Sequence, residues 1–188
     1  MKKEKKLKPE LSPGFRDWDG IELQVKENII SEIKKTFRLF GFEPLETSSL
    51  EISENIGKFL PDEDRPMSGV FGFKDENQWL SLRYDLTAPL ARYVARNFRE
   101  LPNPFKRFQL GQVWRNEKPG PGRFKEFTQL DADIVGSDSI LADAEMCILL
   151  AEILYPYFAS PKIKWSIKVS NRKLIIGLLE DLKIKDDA

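Results

Sequence analysis

Residues 105–135 read FKRFQLGQVWRNEKPGPGRFKEFTQLDADIV, two apolar-rich runs, Phe105 to Glu117 and Arg123 to Val135, joined by Lys118-Pro119-Gly120-Pro121-Gly122. Two prolines and two glycines in five residues interrupt both helix and ladder, so the joint is expected to be a mobile hairpin tip between two long strands. Side chains alternate between the faces of a strand. Phe127, Gln129, Asp131 and Asp133 therefore share one face, and Phe124, Thr128, Leu130, Ala132 and Ile134 share the other. A face with a ring, an amide and two carboxylates is a poor core face, because unpaired carboxylates are costly to bury. It must look into water, a ligand or basic partners.

Upstream of the hairpin, Ile21, Val25, Ile29, Ile33, Phe37 and Phe40 recur at helical spacing between Trp18 and Phe40, and Gly41 is a stop signal. Gly-Phe-Glu-Pro-Leu-Glu then reads as extended, with Pro44 at an edge, an end or an interface because it cannot donate to a central ladder. Residues 57–77 are expected to form a loop ending in a short hairpin around Lys74-Asp75-Glu76-Asn77, followed by a strand from Trp79 to Arg83. Leu90, Val94 and Phe98 mark the buried side of the next helix, with Pro89 in its first turn.

Downstream, Asp138 is placed to cap a helix reaching about Phe158, with Ile140, Leu141, Ala144, Ile148, Ala151 and Leu154 inward. Ile163, Trp165, Ile167 and Val169 alternate as a strand, and Asn171 to Leu182 reads as an amphipathic helix. The pattern is α+β, an antiparallel sheet flanked by helices. Residues 1–12 are expected to be a basic flexible tail and residues 13–188 one domain.

The 188 residues carry 30 basic and 30 acidic side chains, one cysteine and no histidine. The histidine count excludes Ser-His and Cys-His catalytic pairs and His-containing zinc sites. Lone Cys147 excludes an intramolecular disulfide framework and fits a reducing compartment. With 41% hydrophobic and 32% charged residues, and no apolar stretch of signal or membrane-spanning length after MKKEKKLKPE, the chain reads as a cytoplasmic globular protein without a membrane partner.

The neutral total hides segregation. Residues 80–129 hold ten basic side chains against four acidic ones, an excess that points to an anionic ligand near the middle of the chain, with surface solubility as the rival explanation. Arg115, Glu117, Arg123 and Lys125 lie beside the polar face of the hairpin. A guanidinium matches phosphate by paired hydrogen bonds and a flat ring can stack on a base, so the combination describes a nucleotide site. Its competitor is a solvated hairpin with cross-strand ion pairs. Neither GxxxxGK[ST] nor GxGxxG after a strand occurs, so side chains on a sheet would have to hold the phosphates.

The stretch Arg115-Asn116-Glu117-Lys118-Pro119-Gly120-Pro121-Gly122-Arg123-Phe124-Lys125-Glu126-Phe127 resembles motif 2 of the class II aminoacyl-tRNA synthetases, and its surroundings are similar to the histidyl-tRNA synthetase family. Pro13-Gly14-Phe15-Arg16-Asp17, the motif 1-like Gly41-Phe42-Glu43-Pro44-Leu45, Leu82-Arg83-Tyr84-Asp85-Leu86-Thr87-Ala88-Pro89 and Phe127-Thr128-Gln129-Leu130-Asp131-Ala132-Asp133 extend the likeness over nearly the whole chain.

The resemblance implies ATP-dependent activation of histidine to histidyl-adenylate, with Mg²⁺ bound mainly through ATP, and transfer to the acceptor end of tRNA(His). It assigns the ATP α-phosphate to Arg115 as the catalytic arginine, the adenine amino group to Glu117, and stacking on adenine to Phe127. Arg123 would help place the outer phosphates or the tRNA end. Asp85 and Thr87 would meet the α-amino group of histidine, Gln129 would line the amino-acid pocket, and Asp133 would face the imidazole. Asp85 and Asp133 stand where many members carry glutamate, which shortens each carboxylate by one methylene.

Structural alternatives stand beside these roles. Asp85 could cap the following helix, Thr87 could bond local backbone, and Gln129 and Asp133 could pair with Lys125 or Arg107 across the sheet. The resemblance also implies a homodimer through the first helix and the Pro44 strand. It further implies a later histidine-specific segment, a motif 3 and an anticodon-binding domain, none of which can be found before Ala188, so the chain is expected to be the N-terminal part of a catalytic domain. Two rival functions remain. One is the non-catalytic regulatory subunit of ATP phosphoribosyltransferase, which shares the core; the other is a generic nucleic-acid-binding module.

Overall fold

The first helix, α1 (Gly20–Leu39), ends where Gly41 predicts. In the computed structural model, which describes residues 8–59, 69–160 and 162–182, Gly41 takes φ +76°. Its N–H donates to the Arg38 carbonyl at 3.0 Å, and that of Phe42 donates to Phe37 at 3.0 Å. These two bonds make a Schellman motif. The accompanying apolar contact is Phe37 against Phe42, ring centroids 6.3 Å apart. The helix stop thus delivers a buried aromatic pair and aims the chain along the main sheet.

That sheet has the order β1-β5-β6. β1 (Glu43–Pro44) runs parallel to β5 (Phe105–Trp114), and β6 (Glu126–Val135) runs antiparallel to β5. Leu45 N–H donates to the Phe108 carbonyl at 2.9 Å. The alternation of a strand then turns the nitrogen of Pro44 away from β5, so a residue without a donor suits this edge. Phe108 lies 5.0 Å from Phe37 on the α1 side, while Arg107 and Gln109 point to the opposite side and are buried.

A second sheet has the order β2-β4-β3, all antiparallel, from β2 (Leu50–Ile52), β3 (Gly72–Asp75) and β4 (Gln78–Leu82). The expected hairpin around residues 74–77 is present, with Glu76 at φ +49°. Residues 60–68 of the preceding loop and residues 1–7 of the expected tail lie outside the described residues. Helix α2 (Thr87–Asn97) follows β4. Its Arg92 makes a two-pronged ion pair with the buried Glu51 of β2, at 2.7 and 2.8 Å. Leu90 is buried as expected and Pro89 of the first turn is buried with it, Val94 is half-buried, and Phe98 is 75% exposed because it stands just beyond the helical end.

Two compact units divide the chain at Met1–Ala142 and Asp143–Ala188. Both sheets belong to the first. The second holds most of α3 (Ile140–Phe158) and all of α4 (Arg172–Asp181). Three expectations need correction here. Ser139, not Asp138, caps α3: its Oγ accepts from the Leu141 N–H at 3.3 Å, because it directly precedes the first helical residue. In α3, Leu149 is buried while Ile140, Leu141 and Ile148 are exposed, so the inward face is displaced from the expected one. The alternating segment around Ile163, Trp165 and Val169 forms no strand, since among the described residues none pairs with it. Asn171 caps α4 as its position suggests, with Oδ1 accepting from the Lys173 N–H at 2.9 Å.

Candidate functional site

The ten residue pairs of the β5–β6 ladder set the polar face. Arg107 lies opposite Asp133, Gln109 opposite Asp131, Gly111 opposite Gln129 and Val113 opposite Phe127. Directly opposed residues share a face, so the grouping expected along β6 is joined by Arg107 and Gln109. At the far end the joint closes tightly: Gly120 and Arg123 exchange backbone hydrogen bonds at 3.1 and 2.9 Å, and Gly122 takes φ +71°.

Beside that turn, four of the expected nucleotide residues converge with one that was not singled out. The Arg115 guanidinium lies 4.5 Å from the Tyr84 ring centre and 5.0 Å from that of Phe127, and its Nε donates to the Tyr84 carbonyl at 3.3 Å. Tyr84 Oη donates to Glu117 Oε1 at 2.6 Å, and Arg123 Nη2 donates to Glu117 Oε2. The bonds from Tyr84 and Arg123 hold the Glu117 carboxyl below the usual carboxylate range, and the same contact pushes the Tyr84 phenol up. A fixed guanidinium, an aromatic face and an oriented carboxylate are the parts needed to hold a phosphate, a base ring and an exocyclic amine.

The segment Arg83 to Thr87 is brought onto the same face by a close approach at Gly111. A Cβ there would sit 2.4 Å from Arg83 Nη2 and 3.3 Å from Leu86 Cδ2. Arg83 is itself pinned: its Nε donates to the Gln112 carbonyl at 2.8 Å and its Nη1 to the Thr47 carbonyl at 2.9 Å. Asp85 adopts the capping arrangement, Oδ1 accepting from the N–H groups of Thr87 at 3.1 Å and Ala88 at 3.0 Å. Thr87 opens α2 and is exposed.

Further along the face, Gln129 Nε2 donates to Asp131 Oδ1 at 2.9 Å. Arg107, fully buried, places Nη2 2.5 Å from Asp133 Oδ2 and 3.9 Å from Asp131 Oδ2. Asp133 thus takes the cross-strand pairing that was its alternative role, whereas Gln129 turns to its own strand and Lys125 to Asn116 at 3.1 Å. Burial pushes the Asp133 carboxyl up, against the opposing pull of Arg107. Among the described residues no group of three or more His, Cys, Asp and Glu could hold a metal ion.

Tyr84, Arg107 and Asp131 are the residues that motif reading left without a role. Asp131 was visible by alternation and Arg107 as a possible cross-strand partner, which the register of β5 selects. A cavity of about 600 Å³ between α1 and β6, bordered by Trp18, Val25, Ile29, Phe124 and Leu130, is predominantly apolar and lies on the other face of the hairpin. Arg16, Glu22, Lys26 and Glu126 also border it, as does Phe127. No helix among the described residues is long and apolar enough to cross a membrane.

The chain is similar to known proteins over nearly its whole length. Residues 14–188 match the histidyl-tRNA synthetase family. Two curated relatives are histidine–tRNA ligases. That of Rhodopseudomonas palustris (strain TIE-1) is 48% identical over 187 residues, 99% of this chain and 36% of the relative; that of Bartonella bacilliformis is 50% identical, covering 99% and 38%. The chain therefore spans little more than a third of these relatives. Among solved structures, histidyl-tRNA synthetase from Nostoc sp. PCC 7120 superposes with a TM-score of 0.79 at 28% identity, over 95% of this chain and 41% of that one. An ATP phosphoribosyltransferase regulatory subunit/histidyl-tRNA synthetase from Bacillus halodurans gives 0.69 at 28% identity, over 80% and 38%.

Proposed function

The chain belongs to the histidyl-tRNA synthetase family, and on that premise we propose that it supplies the ATP- and histidine-binding part of a histidine–tRNA ligase. The observation that carries this reading is the convergence of Arg115, Tyr84, Glu117, Arg123 and Phe127 at one end of the β5–β6 hairpin. Arg115 would hold the ATP α-phosphate, Phe127 would stack on adenine, and Glu117 would accept from the adenine amino group. Arg123 would release Glu117 to meet the outer phosphates or the tRNA end.

In the proposed reaction the histidine carboxylate attacks the α-phosphorus, the bond to the pyrophosphate bridge breaks, and histidyl-adenylate and pyrophosphate result. The acyl group then passes to the 3′ end of tRNA(His), releasing AMP. The nucleophile is already an anion, so no side-chain base is needed, which fits a chain without histidine. The work is positioning and stabilisation of phosphate charge. Mg²⁺ would arrive with the triphosphate, as this hard cation commonly does, and neutralise charge there.

Gln129 and Asp133 would line the amino-acid pocket. Asp85 and Thr87 would meet the α-amino group at the start of α2, where Asp85 also serves the helix amides. The retained set Arg115, Glu117 and Phe127 favours a ligase over the regulatory-subunit alternative, which would have no need of an adenine site. Residues 13–188 would form one part of the catalytic domain. Such a protein would act in the cytoplasm as a homodimer through α1 and β1, and sedimentation at several concentrations tests for one defined dimer.

Titration with ATP, followed by changes in the spectra of Phe127 and Arg115, tests the site. Arg115→Met is expected to weaken ATP at least about tenfold, the loss of one charge-assisted pair. Unchanged affinity in Arg115→Met and Phe127→Ala would overturn the assignment.

A further inference from the structure

Below the residues assigned to the amino acid lies a layer with no role so far. In the β-ladder Arg107 stands between Glu43 of β1 and Asp133 of β6. Its side chain is fully buried, and its Nε, Nη1 and Nη2 make no hydrogen bond, nor does the buried Asp133 Oδ2. A guanidinium carries five donors and stays charged, so leaving it buried without neighbours of opposite sign would be severely unfavourable. Here two carboxylates answer it, Asp133 at 2.5 Å and Asp131 at 3.9 Å. Asp131 uses its other oxygen, Oδ1, to accept from Gln129 Nε2 at 2.9 Å. The four side chains thus form one line, Gln129 to Asp131 to Arg107 to Asp133.

The Asp133 end of this line is more open than its middle. Arg107 is 0% exposed, Asp131 20% and Asp133 32%. The inner members cannot meet a ligand without first uncovering charge, whereas Asp133 at one end can. With two carboxylates on one guanidinium the line keeps one net negative charge, so a ligand group offering N–H donors is favoured and an anionic group is repelled.

We propose that Arg107 and Asp131 are positioning residues, Arg107 fixing the direction of the Asp133 carboxylate and Asp131 fixing the Gln129 amide, so that both present their outer atoms to the amino-acid side chain. This deepens the preceding reading, since it rests on Gln129 and Asp133 lining that pocket. Arg107 touches no substrate in this arrangement; it acts only through Asp133.

The test uses the 188-residue chain with ¹³C-labelled aspartate, following the Asp133 carboxyl through a pH titration. In Arg107→Met its midpoint is expected to rise by about one pH unit or more, because an opposite charge within contact distance has been removed. Arg107→Lys should restore at least half of that shift. In Asp131→Asn the midpoint should fall, because a like charge is lost, and the Gln129 side-chain amide resonances should move, because a charged acceptor becomes a neutral one. An Asp133 midpoint unmoved in Arg107→Met, with the remaining amide spectrum native, overturns the proposal. If Arg107→Met does not fold, an unmoved midpoint and unmoved Gln129 resonances in Asp131→Asn overturn it equally.

A second arm adds L-histidine. Perturbation of Asp133 and Gln129 that Asp133→Asn abolishes supports the pocket. Perturbation of neither, alongside the expected Arg107 effect, overturns the pocket reading and with it the ligand half of the proposal, while the charge coupling itself stands.

Discussion

Gly111 shows how one residue joins two sheets. Its backbone is ordinary strand, so the requirement is for space: an added Cβ would fall 2.4 Å from Arg83 Nη2 and 3.0 Å from its Cζ. The far end of a free arginine could swing away. This one is held by the carbonyls of Gln112 and Thr47, and the whole residue is 5% exposed. Gly111→Ala is therefore expected to cost about 1–3 kcal/mol by overpacking, read as a lower urea midpoint at unchanged m-value. A cost under about 0.5 kcal/mol, the range of an ordinary surface change, would show that Arg83 is not pinned. Glu117 makes a different residue-scale prediction. Its folded pKa is lowered, chiefly by Tyr84 and then by Arg123. Its stabilising contribution is thus complete above the unfolded carboxylate pKa of about 4.3 and is lost as the pH falls through the lower folded value. Glu117→Gln should accordingly shrink the difference in urea midpoint between neutral solution and that acid window. A wild-type-sized difference in the variant would mean that other carboxylates carry it.

At the scale of elements, the start of α2 combines a structural and a binding claim in one side chain. Asp85 Oδ1 serves the amides of Thr87 and Ala88, so Asp85→Ala should cost about 1 kcal/mol of stability, as lost caps do. Asp85→Asn keeps an acceptor and should recover most of it while still losing the charge offered to an ammonium group. Denaturation and histidine titration on the two variants separate these roles; equal stability loss in both would refute the capping account. Much of this level was legible in the sequence because its signals are local. The Gly41 stop, the edge position of Pro44, the Lys74 to Asn77 hairpin and the long strands around the motif 2-like stretch each follow from residues a few places apart. Where a signal depends on distant partners the reading failed. Ile163, Trp165 and Val169 alternate correctly but find no ladder among the described residues, and the choice of Arg107 over Lys125 as the partner of Asp133 needed the β5–β6 register. Ser139 over Asp138 was decided by a single residue of helix start, the scale at which sequence boundaries are weakest.

For the whole molecule, the question is whether gathering these groups on one sheet face is enough for turnover. In the proposed reaction charge would develop on the α-phosphate and on the departing pyrophosphate together. At the hairpin end two guanidinium groups are available, and Arg123 is engaged with Glu117. The resemblance implies a later histidine-specific segment and a motif 3, each bringing an arginine towards ATP, and the chain spans 36–38% of the two curated relatives. Each missing donor to a developing phosphate charge costs about 10²–10³ in rate. Under the proposed assignment binding should suffer less, because adenine stacking on Phe127 and a phosphate contact from Arg115 would need only residues of this chain. The isolated chain is therefore expected to bind ATP measurably while its histidine-dependent ATP–pyrophosphate exchange runs at least about 100-fold below that of a full-length family member. Both should weaken together in Arg115→Met, binding at least about tenfold. Exchange at the full-length rate would show that this one face already holds the complete transition state, and that the later arginines act on tRNA.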